Sequence, residues 1–128
     1  YFNAGAYVPD ALVAVDHLLR DFRTEAVGQI DPGLLDLLYR LTVVTGTGKP
    51  FEIISGYRSP ATNAMLHERS SGVATRSLHM TGQAIDIRLA DVPLGTLRSA
   101  SLSLRGGGVG FYPKSNFVHV DTGRVRAW

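Results

Sequence analysis

Two segments of this chain alternate apolar and polar residues with a period of two, and they constrain the fold more than any other feature. In AIDIRL (84–89), isoleucine and leucine alternate with alanine, aspartate and arginine, and in FVHVDT (117–122) two valines alternate with other residues. Successive side chains of a strand point to opposite faces, so each segment predicts a strand with one apolar face. Asp86, His119 and Asp121 then lie on the faces opposite the aliphatic residues.

The rest of the chain shows patterns typical of helices and short strands. Asp31-Pro32 is typical of a helix N-terminus, with an acceptor side chain followed by a proline that needs no amide partner. This order of elements predicts an α+β fold, in which a small antiparallel sheet has N-terminal helices packed on one side. The predicted helices are 9–22, 31–46, 59–70 and 93–104, and the additional strands are 51–55 and 109–113.

Length and composition exclude several classes of protein. A chain of 128 residues, 45% of them hydrophobic, fits a single domain spanning 1–128. The 13 lysines and arginines are scattered, so nucleic acid is not an expected partner, and no apolar run is long enough to span a bilayer. With no cysteine there is no thiolate metal ligand. Because the chain begins at Tyr1, we expect a mature or trimmed product from which an export signal has been removed.

One constellation of residues fits a metal site. His79 and Asp86 are separated by seven positions, with Gly82 between them to let the loop turn back. If the two alternating strands are close in the sheet, His119 meets Asp86 and His79 completes the group. Two imidazoles and one carboxylate suit zinc and leave a fourth position open, as in catalytic sites. The same spacing also fits a loop-to-strand hydrogen bond, with His119 as a half-buried sheet histidine.

Two other interpretations of these residues are a non-haem iron site and a ligand-binding domain without a metal, and the sequence supports neither well. His119 and Asp121 have the spacing of one arm of a non-haem iron site, but that arm normally requires a later histidine and none follows. A small domain that binds a hydrophobic ligand without a metal would require the grouping of these ionisable residues to be coincidental.

Several motifs resemble one family of zinc peptidases. SLHMTGQAID (77–86) resembles the signature of the D-Ala-D-Ala carboxypeptidase branch of the lysostaphin, carboxypeptidase and hedgehog superfamily, and SGYRSPATN (55–63) resembles a second motif of that branch. IDPGLLDLLYRL (30–41) and GGVGFYPKSNFVHVDTGRVRAW (107–128) are similar to the murein endopeptidase K-type subgroup of exported bacterial proteins. The resemblance extends from about residue 9 to the end of the chain.

The resemblance implies a role for each matching residue. His79, Asp86 and His119 would be the zinc ligands. Arg58 would polarise the scissile carbonyl and stabilise the oxyanion, and Ser77 would contact the substrate. It also implies a hedgehog-like or D-Ala-D-Ala-peptidase-like fold.

The general base is where the sequence departs from better-known relatives. Some members have a glutamate three residues before the last histidine ligand and others a histidine two residues before it, but here these positions are Asn116 and Phe117. Asp121 is on the same strand face as His119, so we interpret it as the base, or as the group that orients the water or a zinc-bound histidine. Its other interpretation is a turn-forming aspartate before Thr122-Gly123. His67 is the alternative base.

Together these features predict a zinc metallopeptidase that hydrolyses peptide bonds in bacterial peptidoglycan, with cleavage of cross-links favoured over carboxypeptidase action. The alternative is a non-catalytic, zinc-containing module that binds the cell wall. Tyr112 is a candidate for lining the substrate cleft, with core packing as its other interpretation. We expect a monomer that is periplasmic or otherwise exported.

Overall fold

The computed structural model describes residues 2–3, 5–69 and 77–128, which form helices and a sheet in an α+β arrangement. The predicted class is therefore confirmed. The helices are α1 (Pro9–Leu18), α2 (Pro32–Thr45), α3 (Pro60–Arg69) and α4 (Leu94–Leu104), with a 3-10 turn at Leu78–Thr81. The strands are β1 (Phe2–Asn3), β2 (Ala6–Tyr7), β3 (Glu52–Ser55), β4 (Ala84–Arg88), β5 (Gly108–Tyr112), β6 (Phe117–Asp121) and β7 (Arg126–Ala127).

The larger sheet has five strands in the order β3-β4-β6-β5-β7. The first three pairings are antiparallel, as predicted, whereas β7 pairs with β5 in parallel, so the sheet is mixed. The short strands β1, β2 and β7 were not predicted, because two-residue strands are too short to show an alternating pattern. No helix in the described part of the chain is long and apolar enough to cross a membrane.

The two faces of the sheet have different roles, as the alternation predicts. Ile85, Ile87, Val118 and Val120 are buried on one face. They belong to one hydrophobic cluster with side chains of two helices, so burial of this face stabilises the domain. The contributing helical residues are Leu34, Leu35, Leu37 and Leu41 of α2, and Leu97 and Ala100 of α4.

Helix boundaries follow capping residues. The Asp31 side chain accepts a hydrogen bond from the Gly33 amide at 2.9 Å, and Gly46, which has a left-handed φ of 65°, caps the C-terminus of α2. The predicted helix 9–22 is wrong at its C-terminal end, because α1 stops at Leu18. The helix predicted over 59–70 is observed as Pro60–Arg69, and its predicted last residue, Ser70, lies outside the described residues.

A buried carboxylate explains where α1 ends. Asp21 is 2% exposed, and its side chain accepts hydrogen bonds from the backbone amides of Arg23 and Ser59, each at 2.9 Å. Burial raises the pKa of Asp21, but the hydrogen bonds from Ser59, Thr62 and Arg23 outweigh it and lower the pKa to about 2. Asp21 thus joins the loop after α1 to the start of α3.

We expect Asp21→Asn to lower the free energy of unfolding by about 2 kcal/mol near neutral pH, because hydrogen bonds to a charged acceptor are weakened or lost. The folded-state pKa of Asp21 lies below the ordinary aspartate value of 3.8, so its contribution is present above that value and is lost as pH falls toward 2. Urea unfolding at several pH values measures this contribution.

Glu68→Gln, at an exposed position on α3, is the matched control and should change stability little. A difference between wild type and Asp21→Asn that does not shrink as the solution is acidified would contradict the role given to the carboxylate.

Candidate metal centre

Three ionisable side chains converge on the polar face of the sheet. One potential ligand atom from each of His79, Asp86 and His119 lies within 4.8 Å of the others. Oδ1 of Asp86 is 3.3 Å from Nε2 of His79 and 3.1 Å from Nδ1 of His119. All three residues are buried, with exposures of 3%, 6% and 8% in chain order. The structure therefore brings together the three predicted metal ligands.

The pairing of β4 with β6 positions two of these residues. Asp86 is directly opposite His119 in the antiparallel register, and Ile85 and Ile87 are opposite Val120 and Val118. Directly opposed side chains in an antiparallel pair have Cβ atoms about 5 Å apart, close enough to share a ligand. A shift of one residue would move Asp86 to the apolar face, so burial of the two isoleucines also fixes the site.

A tight loop brings His79 to the same point. Ser77 caps the 3-10 turn by accepting a hydrogen bond from the His79 amide at 3.2 Å. Gly82 ends the turn with a φ of 70°, and a Cβ there would lie 1.9 Å from the carbonyl oxygen of Gln29. Only glycine fits this close approach. The sequence-based role of Gly82, turning the loop back toward the strand, agrees with this geometry.

The two histidines have opposite ring nitrogens available to a metal. The Nδ1 atom of His79 lies 2.8 Å from the carbonyl oxygen of Gly56, so it carries the proton and leaves Nε2 facing Asp86. In His119 the Nε2 atom lies 2.7 Å from Oδ2 of Asp121, and Nδ1 faces Asp86. Each ring is thus oriented by an acceptor on its far side, an arrangement typical of metal-binding histidines.

Asp121 is a fully buried partner of His119. Its exposure is 0%, and its carboxylate contacts His119, both Nη atoms of Arg126 and the amides of Gly108 and Gly123, at 2.7 to 3.1 Å. Burial raises the pKa of Asp121, but these donors outweigh it and lower the pKa well below its usual range. With its acceptor positions engaged, this carboxylate has the geometry of a group that orients a histidine.

The charges in the centre favour an ionised Asp86. Burial raises the pKa of Asp86, yet hydrogen bonds from His119 and His79 lower it to about 2. The pKa of His119 is raised, because Asp121 and Asp86 outweigh the effect of burial. A buried carboxylate that stays charged is available as a ligand, and one of its oxygens lies close to a nitrogen of each imidazole.

The donor set fits a metal ion, and zinc in particular. Two imidazole nitrogens and one carboxylate oxygen are common zinc ligands, and three of them leave a coordination position for water or substrate. A hydrogen-bonded loop alone would account for the His79–Asp86 contact. It would not explain why both histidines direct a nitrogen at the same oxygen while acceptors hold their other nitrogens.

Arg58 and Ser77 lie next to this centre. The backbone amide of Arg58 donates to the carbonyl oxygen of His79 at 2.9 Å, and its Nη1 donates to Asn63 at 3.1 Å and to Ser77 at 3.5 Å. Burial lowers the pKa of Arg58, whereas the charge of Asp86 opposes that change. Its Nε atom is buried and has no hydrogen-bond partner among the residues that the structure describes.

Trp128 lies beside His119 and binds Tyr112, and of these two aromatic residues the sequence predicted a site role for Tyr112. Tyr112 stacks on Phe117 with ring centroids 4.7 Å apart, and its hydroxyl accepts a hydrogen bond from Nε1 of Trp128 at 2.6 Å. The Trp128 ring lies 5.0 Å from the His119 ring, centroid to centroid. In the sequence, Gly110 was the signal that could have indicated the position of Trp128, because a glycine within a strand marks a close approach by another group. His67, the alternative base, is exposed on α3.

Comparison with known proteins places these observations in a family. The profile of a family described as Peptidoglycan L,D-endopeptidase MepK matches residues 1–128. The chain is 49% identical over 128 residues to Peptidoglycan L,D-endopeptidase MepK of Escherichia coli strain K12, covering 100% of this chain and 70% of that protein. It is 48% identical over 126 residues to the probable enzyme of that name from Haemophilus influenzae, covering 98% and 68% respectively.

Among solved structures, the chain is similar to the L-Ala D-Glu endopeptidase ChiX of Serratia marcescens. The TM-score is 0.47 at 17% sequence identity, and the match covers 74% of this chain and 68% of that one.

Proposed function

The chain belongs to the peptidoglycan L,D-endopeptidase MepK family, and on that premise we propose that it is a zinc metallopeptidase that hydrolyses peptide cross-links in bacterial peptidoglycan. The observation that carries this proposal is the convergence of His79, Asp86 and His119 beside Arg58. A zinc ion held by these three ligands supplies Lewis-acid activation of the peptide carbonyl and of water.

Arg58 is proposed to bind the carbonyl oxygen of the scissile bond and to stabilise the negative charge that develops there. Asn63 and Ser77 accept hydrogen bonds from one end of its guanidinium, which fixes the orientation of the remaining donors. A fixed donor of this kind accounts for about 3 kcal/mol of transition-state stabilisation. Ser77 and Tyr112 are proposed substrate contacts, since Ser77 binds the His79 amide and Tyr112 binds Trp128, whose ring lies against His119.

Asp121 is proposed to position His119 rather than to act as the general base. Its carboxylate is fully buried and bound by Arg126 and two backbone amides, so it has no free acceptor for a proton from water. Its contact with Nε2 of His119 keeps the proton on that nitrogen and leaves Nδ1 for the metal.

The proposed substrate implies that the protein is exported, because peptidoglycan lies outside the cytoplasmic membrane. We propose that it acts there as a monomer. The three proposed ligands and Arg58 all belong to one chain, so the site needs no contribution from a second copy.

The function is tested by incubating the purified protein with purified cross-linked peptidoglycan and separating the released peptides by chromatography. We expect cleavage that a chelator abolishes and added zinc restores. Arg58→Lys should lower kcat by about 100-fold to 1,000-fold at unchanged zinc content, because one oxyanion donor is displaced. Arg88→Lys, which alters an exposed ion pair with Glu52 on a neighbouring strand, is the matched control and should cleave like wild type.

Cleavage that persists in the zinc-free protein would contradict the proposed mechanism. Stoichiometric zinc and retention on peptidoglycan without release of peptides would instead support the non-catalytic binding module. The asparagine and phenylalanine at 116 and 117, where relatives have a base, are the observation that favours this second function.

Asp121→Asn separates the two roles considered for this carboxylate. If Asp121 positions His119, the variant should bind zinc about 10-fold to 100-fold more weakly and recover most of its kcat when zinc is saturating. Zinc affinity is measured by competition with a chromogenic chelator, and thermal melting verifies that the variant is folded. Asp10→Asn, at an exposed position in the first turn of α1, is the control. A kcat that stays low at saturating zinc would identify Asp121 as the base.

A further inference from the structure

Three aromatic side chains form a continuous strip along the face of the sheet that carries the metal ligands. Phe117 is on the same side of β6 as His119, and it is opposite Tyr112 in the pairing with β5. Tyr112 stacks on Phe117 and binds Trp128, which reaches the His119 ring. We refer to Phe117, Tyr112 and Trp128 as the aromatic strip.

The Trp128 indole is fixed in place by several contacts. Its backbone amide donates to Val109 at 3.0 Å, and its carbonyl oxygen accepts from the Phe111 amide at 2.9 Å. The ring lies over Gly110, where a Cβ would be 2.7 Å from an indole carbon, and the Arg126 guanidinium is 5.0 Å from the ring centroid. Because the hydroxyl of Tyr112 also binds Nε1, the orientation of the ring is determined before any ligand arrives.

This rigid ring remains accessible beside the metal centre. Trp128 is 49% exposed, although its ring centroid is only 5.0 Å from that of a buried metal ligand. A purely structural tryptophan gains stability by burying its large apolar surface, whereas this residue is only half-buried. A fixed, half-exposed aromatic surface costs little conformational entropy when it binds another molecule, and such surfaces are typical of recognition sites.

We propose that the aromatic strip is a substrate-binding wall of the cleft and that it contacts the aliphatic side chain of a peptide residue adjoining the scissile bond. This inference rests on the proposed function, because it takes the substrate to be a peptidoglycan peptide. The strip presents aromatic carbon surface next to His119, and its three side chains carry no charge. The hydroxyl of Tyr112 is engaged by Trp128. Methylene groups of a substrate side chain therefore match the strip better than a charged end group does.

Trp128 is the single tryptophan of the chain, so its fluorescence reports directly on the strip. The zinc-loaded protein is titrated with uncross-linked disaccharide-peptides from peptidoglycan, which offer no cross-link to cleave. We expect a saturable change in emission with these fragments and none with the same disaccharide lacking its peptide. An equal response to both ligands, or to neither, would overturn the assignment of the strip to the peptide.

Steady-state kinetics on soluble cross-linked fragments provide the second test. Trp128→Ala should raise KM about tenfold and keep kcat within about threefold, with unchanged zinc affinity, because a contact made equally in the ground state and the transition state is lost. Trp128→Phe, which retains a flat apolar ring, should recover part of the affinity. Tyr39→Ala removes an exposed aromatic ring of α2 and is the matched control.

The outcomes distinguish this inference from the function on which it rests. If wild type cleaves and Trp128→Ala has an unchanged KM, the strip does not bind the substrate and the inference fails alone. If Trp128→Ala loses zinc affinity together with kcat, the ring serves only to hold His119, which also overturns it. If wild type does not cleave, the proposed function fails, and the fluorescence titration still decides whether the strip binds the peptide.

Discussion

The pairing of β4 with β6, in which Asp86 is directly opposite His119, is the constraint on which the rest of the site depends. Apolar residues on the other face of the same strands pack against α2 and α4, so hydrophobic burial selects this register. A slip of β6 by one residue would move His119 and Asp121 in among aliphatic side chains, at a cost of several kcal/mol. The stability of the domain and the geometry of the candidate metal centre therefore have a common origin.

Hydrogen-bond acceptors on the far side of each histidine ring complete the geometry of the site. Gly56 and Asp121 each accept a hydrogen bond from a ring nitrogen, so His79 and His119 direct different nitrogens toward Asp86. Burying Asp86 and Asp121 is unfavourable by itself, and donors on every side offset that cost. The resulting centre is preorganised by side chains whose own positions are fixed, as metal affinity and catalysis both require.

The sequence predicted the elements with strong periodicity and the three potential ligands. Alternation in 84–89 and 117–122 was enough to place Asp86 and His119 on polar faces, and β4 and β6 are observed close to those bounds. It could not predict the end of α1, because the interaction of Asp21 with Ser59 joins residues 38 positions apart. The contact between Trp128 and His119 was missed for a similar reason, since it depends on how β7 pairs with β5. Local patterns specify elements and faces, whereas contacts between distant segments need the folded structure.

The most direct test of this account is to record which ring nitrogen of each histidine carries the proton in the zinc-loaded protein, by ¹⁵N-edited NMR of the imidazole groups. The account predicts opposite tautomers: His79 protonated at Nδ1 with zinc on Nε2, and His119 protonated at Nε2 with zinc on Nδ1. Identical tautomers in both residues, or ring nitrogen shifts that do not respond to zinc, would contradict a centre organised by Asp86, Gly56 and Asp121.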